Sequence, residues 1–186
     1  MNQPISLSGQ FLLAMPGIGD PRFENSVIAI CAHDAGGAFG LCLHQRAEGL
    51  TVPELMRQLK IDPGETAEIP VLLGGPVQTD RGFVLHSPDW SGDDTSHVAG
   101  RWALTGTRDV LEAIARGEGP RHWIAAVGYS GWGSGQLEGE LHQHGWFQTP
   151  ATMALIWKTA MADRWREGFA ASGIDIRLLS ADIGNA

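Results

Sequence analysis

Short apolar runs separated by glycine-rich or polar stretches dominate the chain, a pattern that predicts strands more than long helices. Eight runs are interpreted as strands: Phe11–Met15, Ser26–His33, Ala38–Leu43, Ile69–Leu73, Gly82–His86, Val98–Leu104, His122–Val127 and Ile174–Leu179. Between the second and third runs lies the segment 34–37, DAGG, which predicts a tight hairpin turn because glycine tolerates positive φ angles.

Four segments have the apolar spacing of amphipathic helices. They are Val52–Lys60, Thr107–Arg116, Gln136–His144 and a long segment that begins at Thr149-Pro150 and ends near Gly173. The start of the last helix is predicted from a threonine N-cap followed by proline at the first helical position. Strands and helices alternate irregularly, which predicts an α/β or α+β sandwich around a mixed sheet, formed by residues 1–186 as a single domain.

Composition and charge exclude several classes of protein. The chain has 43% hydrophobic and 18% charged residues, which is typical of a compact soluble protein. Its 13 Lys and Arg residues against 21 Asp and Glu give a net charge of −8, which disfavours direct contact with nucleic acid or an anionic membrane. The sequence contains no run of about 18 apolar residues that could span a membrane. Because its start, MNQPISLSGQ, also lacks the features of a secretory leader, we expect a cytoplasmic protein.

Several ordered sequence blocks together resemble one protein family. The blocks are GQFLLAMP (9–16), DPRF (20–23), SV (26–27), GGPV (74–77), RGFVLH (81–86), GYSGWGSGQLE (128–138), Trp146, RW (164–165) and GID (173–175). From these blocks the chain is identified as a member of the AlgH/YqgE family of bacterial proteins. The resemblance implies a cytoplasmic single domain with a largely antiparallel mixed sheet flanked by helices. Members are sometimes described as transcriptional regulators, but the resemblance implies no established activity.

Two glycine-rich segments, Gly74–Gly82 and Gly128–Gly135, are the candidate ligand-binding regions. A glycine-rich junction between a strand and a helix can hold an anion through backbone N–H groups, and an arginine can clamp a carboxylate or a phosphate. The candidate ligand-binding residues are Gly74, Gly75, Pro76, Arg81, His86, Gly131, Trp132, Gly133, Gly135, Gln136 and Glu138. The alternative is structural: the glycines make tight turns, and Arg81 pairs with Asp80, with Asp20 or with a loop carbonyl.

Other motifs do not define a catalytic centre. Neither Ser130 nor Ser134 lies in the G-x-S-x-G pattern of a nucleophile elbow, and no nucleotide-binding fingerprint is present. The segment 138–144 alternates two glutamates with two histidines, which would share one face of a strand and suit a metal. Leu137 and Leu141 instead favour a helix, so we expect neither a metal site nor a cofactor.

The two cysteines, Cys31 and Cys42, occupy the two predicted hairpin strands. A turn centred on Gly36-Gly37 would place them opposite each other, within reach of a disulfide. The alternative is that both thiols are reduced and buried in the core of a cytoplasmic protein, and we favour this interpretation over a redox role.

Two functional hypotheses follow. The first is a non-enzymatic binding or regulatory protein that acts through contacts with a protein partner or a small anionic ligand. The second is an enzyme that acts on a small anionic substrate, with Arg81, His86 and Glu138 as anion clamp, base and acid in one pocket formed by both glycine-rich segments. The seven tryptophans are spread along the chain, which fits core packing and leaves homodimer formation open.

Overall fold

Strands account for most of the regular structure in this computed structural model, which describes residues 6–150 and 152–179. The strands are β1 (Gln10–Ala14), β2 (Val27–Asp34), β3 (Gly37–Cys42), β4 (Arg46–Thr51), β5 (Pro70–Leu73), β6 (Val77–His86), β7 (Thr95–Val98), β8 (Trp102–Thr105), β9 (Trp123–Gly133) and β10 (Trp146–Pro150). The helices are α1 (Val52–Gln58), α2 (Arg108–Ala115), α3 (Gln136–His142), α4 (Met153–Trp157), α5 (Arg164–Ala171) and α6 (Ile176–Leu179), with a 3-10 turn at Met161–Asp163. Within the described ranges, no helix is both long enough and apolar enough to cross a membrane. Residues 1–5 lie outside those ranges. They are half of the segment from which we predict that the chain lacks a secretory leader.

The chain divides into two compact units, and the first consists of residues up to His44 together with those from Ser130 onward. Its strands pair antiparallel in the order β10-β1-β2-β3-β9, with the last four residues of β9 opposite β3. Its core includes Leu12, Ile28, Ile30, Leu137 and Trp146, which are all at most 5% exposed. Alternate residues of β1 and β2 belong to this cluster, and the residues between them, such as Phe11 and Leu13, are equally buried on the opposite face, so this part of the sheet is covered on both sides.

The second unit consists of Gln45–Tyr129. Strands β7, β8, β6 and the first part of β9 pair antiparallel in that order, while β5 pairs parallel with β9 and antiparallel with β4. Its core joins Val52 and Met56 of α1 and Val110 of α2 to Val71 and Val84 of the sheet. The apolar faces of both helices predicted for this unit are thus buried.

The prediction of a mixed fold with largely antiparallel pairing is confirmed at this coarse level, since β5 and β9 form the one parallel pair in the described ranges. The single-domain prediction is not tested by the division into two units and stays a prediction. Helices α1, α2 and α3 and the hairpin β2-β3 lie where the apolar pattern places them.

Three predicted elements are wrong. The run Val98–Leu104 is split between β7 and β8 by a turn at Ala99-Gly100, where both residues have positive φ angles of 49° and 67°. The run Ile174–Leu179 contains helix α6 instead of a strand. The long helix predicted from Thr149-Pro150 is interrupted: both residues end β10, and two separate helices, α4 and α5, follow. Proline is tolerated there because β10 is an edge strand.

The two cysteines do not face each other, so that prediction is also wrong. The turn lies at Ala35-Gly36, with Asp34 opposite Gly37, and the Asp34 carboxylate accepts a 2.7 Å hydrogen bond from the N–H of Gly36. A bulge at Cys31 shifts the register again, so that Cys42 pairs with Ile28. Neither of these two buried cysteines forms a disulfide, in agreement with the alternative that they are core residues.

Candidate functional site

The residues of the two glycine-rich segments are distributed over both units. Gly74, Gly75, Pro76, Arg81 and His86 belong to the second unit, whereas the candidates from Gly131 to Glu138 belong to the first. The hypothesis that one pocket contains both sets therefore stays a prediction. Each set is a candidate in its own unit.

Most of the glycine-rich segment Gly128–Gly135 is part of strand β9 and not an open loop between a strand and a helix. Residues up to Gly133 continue β9, and Gly133, Gly131 and Ser130 pair with β3. The N–H of Gly133 also donates to Gln136 Oε1 at 3.0 Å. Pairing with β3 and the glutamine cap thus give these backbone positions structural roles. The two-residue turn that follows leads directly into α3, which is only seven residues long.

Glycine is required at position 128 by a close approach of two backbones in the second unit. A Cβ atom at Gly128 would lie 2.4 Å from the carbonyl oxygen of Gly75 and 3.2 Å from that of Val77, and the φ angle of Gly128 is +71°. Gly75 itself has a φ angle of +152°. The first glycine-rich segment therefore packs directly on β9, which supports the structural alternative for these glycines.

A small cavity of about 130 Å³ lies in the second unit, next to the segment that carries Arg81. Apolar side chains from α1, β6 and α2 form its walls, and polar residues border it. The lining residues are Leu55, Leu59, Asp80, Gly82, Phe83, Val84, Thr105, Gly106, Thr107, Arg108 and Leu111. Sequence reasoning placed Arg81 and Gly82 near a ligand, but it could not identify these walls, because they come from three separate elements.

Arg81 is exposed and rests on an aromatic ring. Its guanidinium carbon lies 5.0 Å from the centroid of Phe83, which is within the range of a cation–π contact. One of its terminal nitrogens lies 4.0 Å from the position that a Cβ would take on Gly106, so the guanidinium reaches the cavity lining. In the described ranges no carboxylate forms an ion pair with Arg81, so the predicted partners Asp80 and Asp20 do not hold it. Asp20 pairs instead with Arg22, and the hydrogen bonds from Arg22 hold the pKa of this carboxyl below its usual value.

His86 is fully buried, and both of its ring nitrogens have partners. Its Nδ1 lies 2.8 Å from the carbonyl oxygen of Ser87, and its Nε2 lies 2.9 Å from Thr105 Oγ1. Burial, as the largest cause, lowers the pKa of His86, and Trp90 packs edge-on against the ring at 5.6 Å. A neutral ring that links Ser87 to Thr105 is a structural arrangement, and it gives no support to the predicted role of His86 as a base.

Glu138 is tied to a buried histidine in the first unit. The N–H of Leu7 donates to His33 Nδ1 at 3.0 Å, which leaves Nε2 to carry the proton and donate to Glu138 Oε1 at 3.0 Å. Hydrogen bonds from its own backbone N–H and then from His33 lower the pKa of Glu138. Because α3 is a helix, the alternating acidic and histidine positions after 137 do not share one face. No group of three or more His, Cys, Asp or Glu side chains in the described ranges is placed to hold a metal ion.

The two serines considered as nucleophiles have structural partners. Ser130 is 2% exposed, and its Oγ lies 3.2 Å from the Sγ of Cys42. Ser134 donates to the carbonyl oxygen of Ala35 at 2.7 Å, which fastens the turn of the β2-β3 hairpin. Neither of these contacts involves a histidine that could act as a general base.

Sequence reasoning overlooked two polar centres in the first unit, half-buried Glu140 and buried Arg164. Glu140 Oε2 accepts hydrogen bonds from the indole nitrogens of Trp132 and Trp146, at 2.9 and 2.7 Å. Arg164 is only 8% exposed and contacts backbone carbonyl oxygens. The only available signal for Arg164 was its place in a family-like block, and nothing in the local sequence indicates the partners of either side chain.

Comparison with proteins of known sequence supports the predicted family. A family model described as AlgH-like matches residues 11–177. A UPF0301 protein from Rhizorhabdus wittichii is 53% identical over 186 residues, which covers 100% of both chains. A UPF0301 protein from Sphingopyxis alaskensis is 50% identical over 183 residues, with 98% of each chain covered. The predicted family resemblance is thereby confirmed.

Solved structures share the same fold. The solution structure of the AlgH protein from Pseudomonas aeruginosa matches with a TM-score of 0.80 at 38% identity, over 97% of this chain and 96% of that one. A crystal structure of a protein from Corynebacterium diphtheriae matches with a TM-score of 0.77 over 97% and 94% of the two chains; at 20% identity, this is a likeness of fold alone. The sequence blocks, the family model and the similarity to the Pseudomonas protein agree, and the chain belongs to the AlgH-like family.

Proposed function

We propose that this protein is a non-enzymatic binding protein that holds a small anionic ligand in the cavity of its second unit. The observation that carries the proposal is the position of Arg81. Its guanidinium rests on Phe83 beside the cavity, and no carboxylate in the described ranges pairs with it. An exposed guanidinium that is pre-oriented by an aromatic ring can form two parallel hydrogen bonds to a carboxylate or a phosphate.

The size and lining of the cavity restrict the ligand class. A volume of about 130 Å³ lies well below the roughly 300–1,000 Å³ of sites for drug-sized ligands. Leu55, Leu59 and Leu111 provide apolar walls. A ligand with a short branched carbon chain and one anionic group fits both features.

The alternative of an enzyme has no comparable support. It requires His86 as a base, whereas this ring is buried and both of its nitrogens are engaged. Regulation through direct DNA contact is not proposed, because the net charge of −8 opposes it. Any regulatory role would then depend on the bound ligand or on a protein partner.

The test is a binding titration in which NMR monitors the chemical shifts of the backbone amides. Isovalerate is the probe, and isovaleramide, which has the same carbon skeleton without the charge, is the ligand control. We expect saturable shifts at Gly82, Gly106 and Thr107 with the carboxylate and no saturation with the amide. Since a hydrogen bond to a charged group contributes about 1.5–3 kcal/mol, Arg81→Ala should weaken binding by roughly 10- to 100-fold.

Arg22→Ala is the matched control variant, because Arg22 is also exposed and also lies over a phenylalanine ring, that of Phe23 at 5.8 Å. This variant removes the same charge in the first unit and should leave the affinity unchanged. The proposal is contradicted if isovalerate and isovaleramide bind equally, if neither binds, or if both arginine variants lose affinity to the same extent.

A further inference from the structure

The cavity of the second unit is open because strand β6 has no side chain at position 82. Apart from its chain neighbours, no heavy atom lies within 4 Å of the position that a Cβ would take on Gly82, whereas Val84, two residues along the strand, is only 3% exposed. Leu55, Leu59 and Leu111, which we call the leucine wall, line the same cavity. The backbone of Gly82 lies outside the left-handed region, so the glycine is not required by the conformation of the chain.

Two charged side chains belong to the lining, and they differ in their partners. Arg108 donates to Glu112 at 3.2 Å, one turn along helix α2. The carboxylate of Asp80 is exposed and forms neither an ion pair nor a side-chain hydrogen bond in the described ranges. A carboxylate without a counter-ion repels a ligand whose only charge is negative. Asp80 is therefore a partner for a positive group on the ligand.

Thr105, which also lines the cavity, has no hydrogen to donate to a ligand. The Nδ1 of His86 must donate to the carbonyl oxygen of Ser87 at 2.8 Å, since a carbonyl can only accept. In the neutral ring Nε2 then accepts the hydroxyl hydrogen of Thr105 at 2.9 Å, and the hydroxyl of Thr95 donates to Thr105 at 2.8 Å. Thr105 is fully buried, so the inner end of the cavity lacks this donor for a carboxylate.

Opposite charges stand side by side at the exposed end of the cavity. Asp80 and Arg81 are consecutive, and neighbours in a strand point to opposite sides, which agrees with the absence of an ion pair between them in the described ranges. The guanidinium nevertheless reaches the lining at Gly106, where one terminal nitrogen lies 4.0 Å from the Cβ position. Both Gly82 and Gly106 lack a side chain that could separate a ligand from these charges. A ligand with two opposite charges close together fits this end.

We propose that the ligand of this cavity is a zwitterionic α-amino acid with a short branched aliphatic side chain, of the size of valine. The inference rests on the proposed function, in which Arg81 binds the carboxylate. The ammonium group on the same carbon atom pairs with Asp80, and the aliphatic chain contacts the leucine wall. The two charges thus stay at the exposed end, and the apolar part of the ligand occupies the space beside Gly82.

L-Valine and isovalerate are the probe pair, because valine is isovalerate with an ammonium group added at the α-carbon. Both are titrated while NMR monitors the backbone amides of Gly82, Gly106 and Thr107. We expect saturation with both ligands and about 5- to 20-fold tighter binding of valine, from one ion pair at an exposed site and its hydrogen bond. If isovalerate binds as tightly as valine or more tightly, this inference is overturned and the proposed function stands. If neither ligand binds, the proposed function fails as well.

Asp80→Asn should affect the two ligands in opposite directions. Removal of the carboxylate should weaken valine binding about fivefold or more, and it should leave isovalerate binding unchanged or slightly tighter, because a like charge disappears. Asp94→Asn is the matched control, since Asp94 is an exposed aspartate of the second unit outside the lining, and it should change neither affinity. A variant Asp80→Asn that keeps the full preference for valine, or that weakens both ligands equally, would overturn the inference.

Gly82→Val tests where the ligand lies. The added side chain occupies the open position beside the leucine wall, and a β-branched residue is well suited to a strand. We expect both ligands to bind at least tenfold more weakly, while the melting temperature stays the same or rises. Gly139→Ala, in open space of the first unit, is the control and should bind both ligands as the unaltered protein does. Unchanged affinities in Gly82→Val would place the ligands outside this cavity and overturn the inference together with the proposed function.

Discussion

Glu140 illustrates how a single side chain can organise part of the core. Its Oε2 accepts both indole hydrogen bonds from Trp132 and Trp146, and its Oε1 accepts a third from Gln136 at 3.0 Å. The two indole rings meet edge to face, with centroids 6.0 Å apart. Both tryptophans are buried, so their N–H groups depend on this carboxylate.

Removing this carboxylate should destabilise the first unit. In Glu140→Ala two buried indole N–H groups lose their acceptor, at a cost of about 1–3 kcal/mol each, so we expect a loss of about 2–6 kcal/mol in the free energy of unfolding. Glu140→Gln keeps one acceptor oxygen and should cost less. Urea denaturation followed by tryptophan fluorescence measures both variants. Equal stability of the alanine and glutamine variants would show that the indole hydrogen bonds do not matter.

At the scale of elements, glycines decide how closely strand β9 approaches its neighbours. Gly128 lies in β9 with a left-handed φ, directly against the carbonyl oxygen of Gly75. Gly139 lies inside helix α3 with open space around its Cβ position. Both residues are glycines, but the fold has no room for a side chain at position 128 and leaves open space for one at position 139.

Alanine substitutions at these two glycines should have opposite effects. Gly128→Ala adds a Cβ that overlaps the Gly75 carbonyl and strains the backbone, so we expect a loss of about 3 kcal/mol or more. Gly139→Ala should stabilise the protein by about 0.5–1 kcal/mol, because alanine is the better helix former. Thermal and chemical denaturation of both variants provide the measurement. A stable Gly128→Ala protein would contradict the close approach seen in the structure.

At the scale of the whole molecule, stability toward base depends on the burial of Cys42. Burial raises the pKa of this thiol to about 12 from a usual value of 9.0, although the hydrogen bond between Cys42 and Ser130 acts in the opposite direction. Between these two pH values the unfolded chain releases the thiol proton and the folded chain keeps it. The unfolded state then binds fewer protons, so the free energy of unfolding falls as the pH rises.

Cys42→Ala should remove this part of the pH dependence. We expect the unaltered protein to lose up to about 1.4 kcal/mol more per pH unit above pH 9 than the variant does. Denaturant titrations at several values between pH 8 and pH 10.5 provide both slopes, and the lysines and the tyrosine contribute equally to each. Parallel slopes would mean that Cys42 ionises in the folded protein as it does in the unfolded chain.

Local sequence determined the elements whose signals are local. The apolar spacing of α1 and α2, the capping position Thr107 and the hairpin before Gly37 are all found near their predicted positions, since the forces that define them act within a few residues. The family blocks likewise determined the family and, with it, the coarse fold. The acidic composition set the net charge without reference to the fold.

Tertiary structure decided what depends on distant neighbours. Pro150 was predicted to open a helix, but pairing with β1 holds it at the end of an edge strand. A one-residue displacement of the hairpin turn and the bulge at Cys31 separated two cysteines that simple register arithmetic had paired. Whether a polar residue is free for chemistry or engaged in the core was equally invisible: His86 and Glu138 are engaged, whereas Arg81 and Arg164 lack counter-ions in the described ranges. The burial of a side chain and its hydrogen-bond partners depend on which segments pack against each other, and the periodic pattern along the chain does not specify that packing.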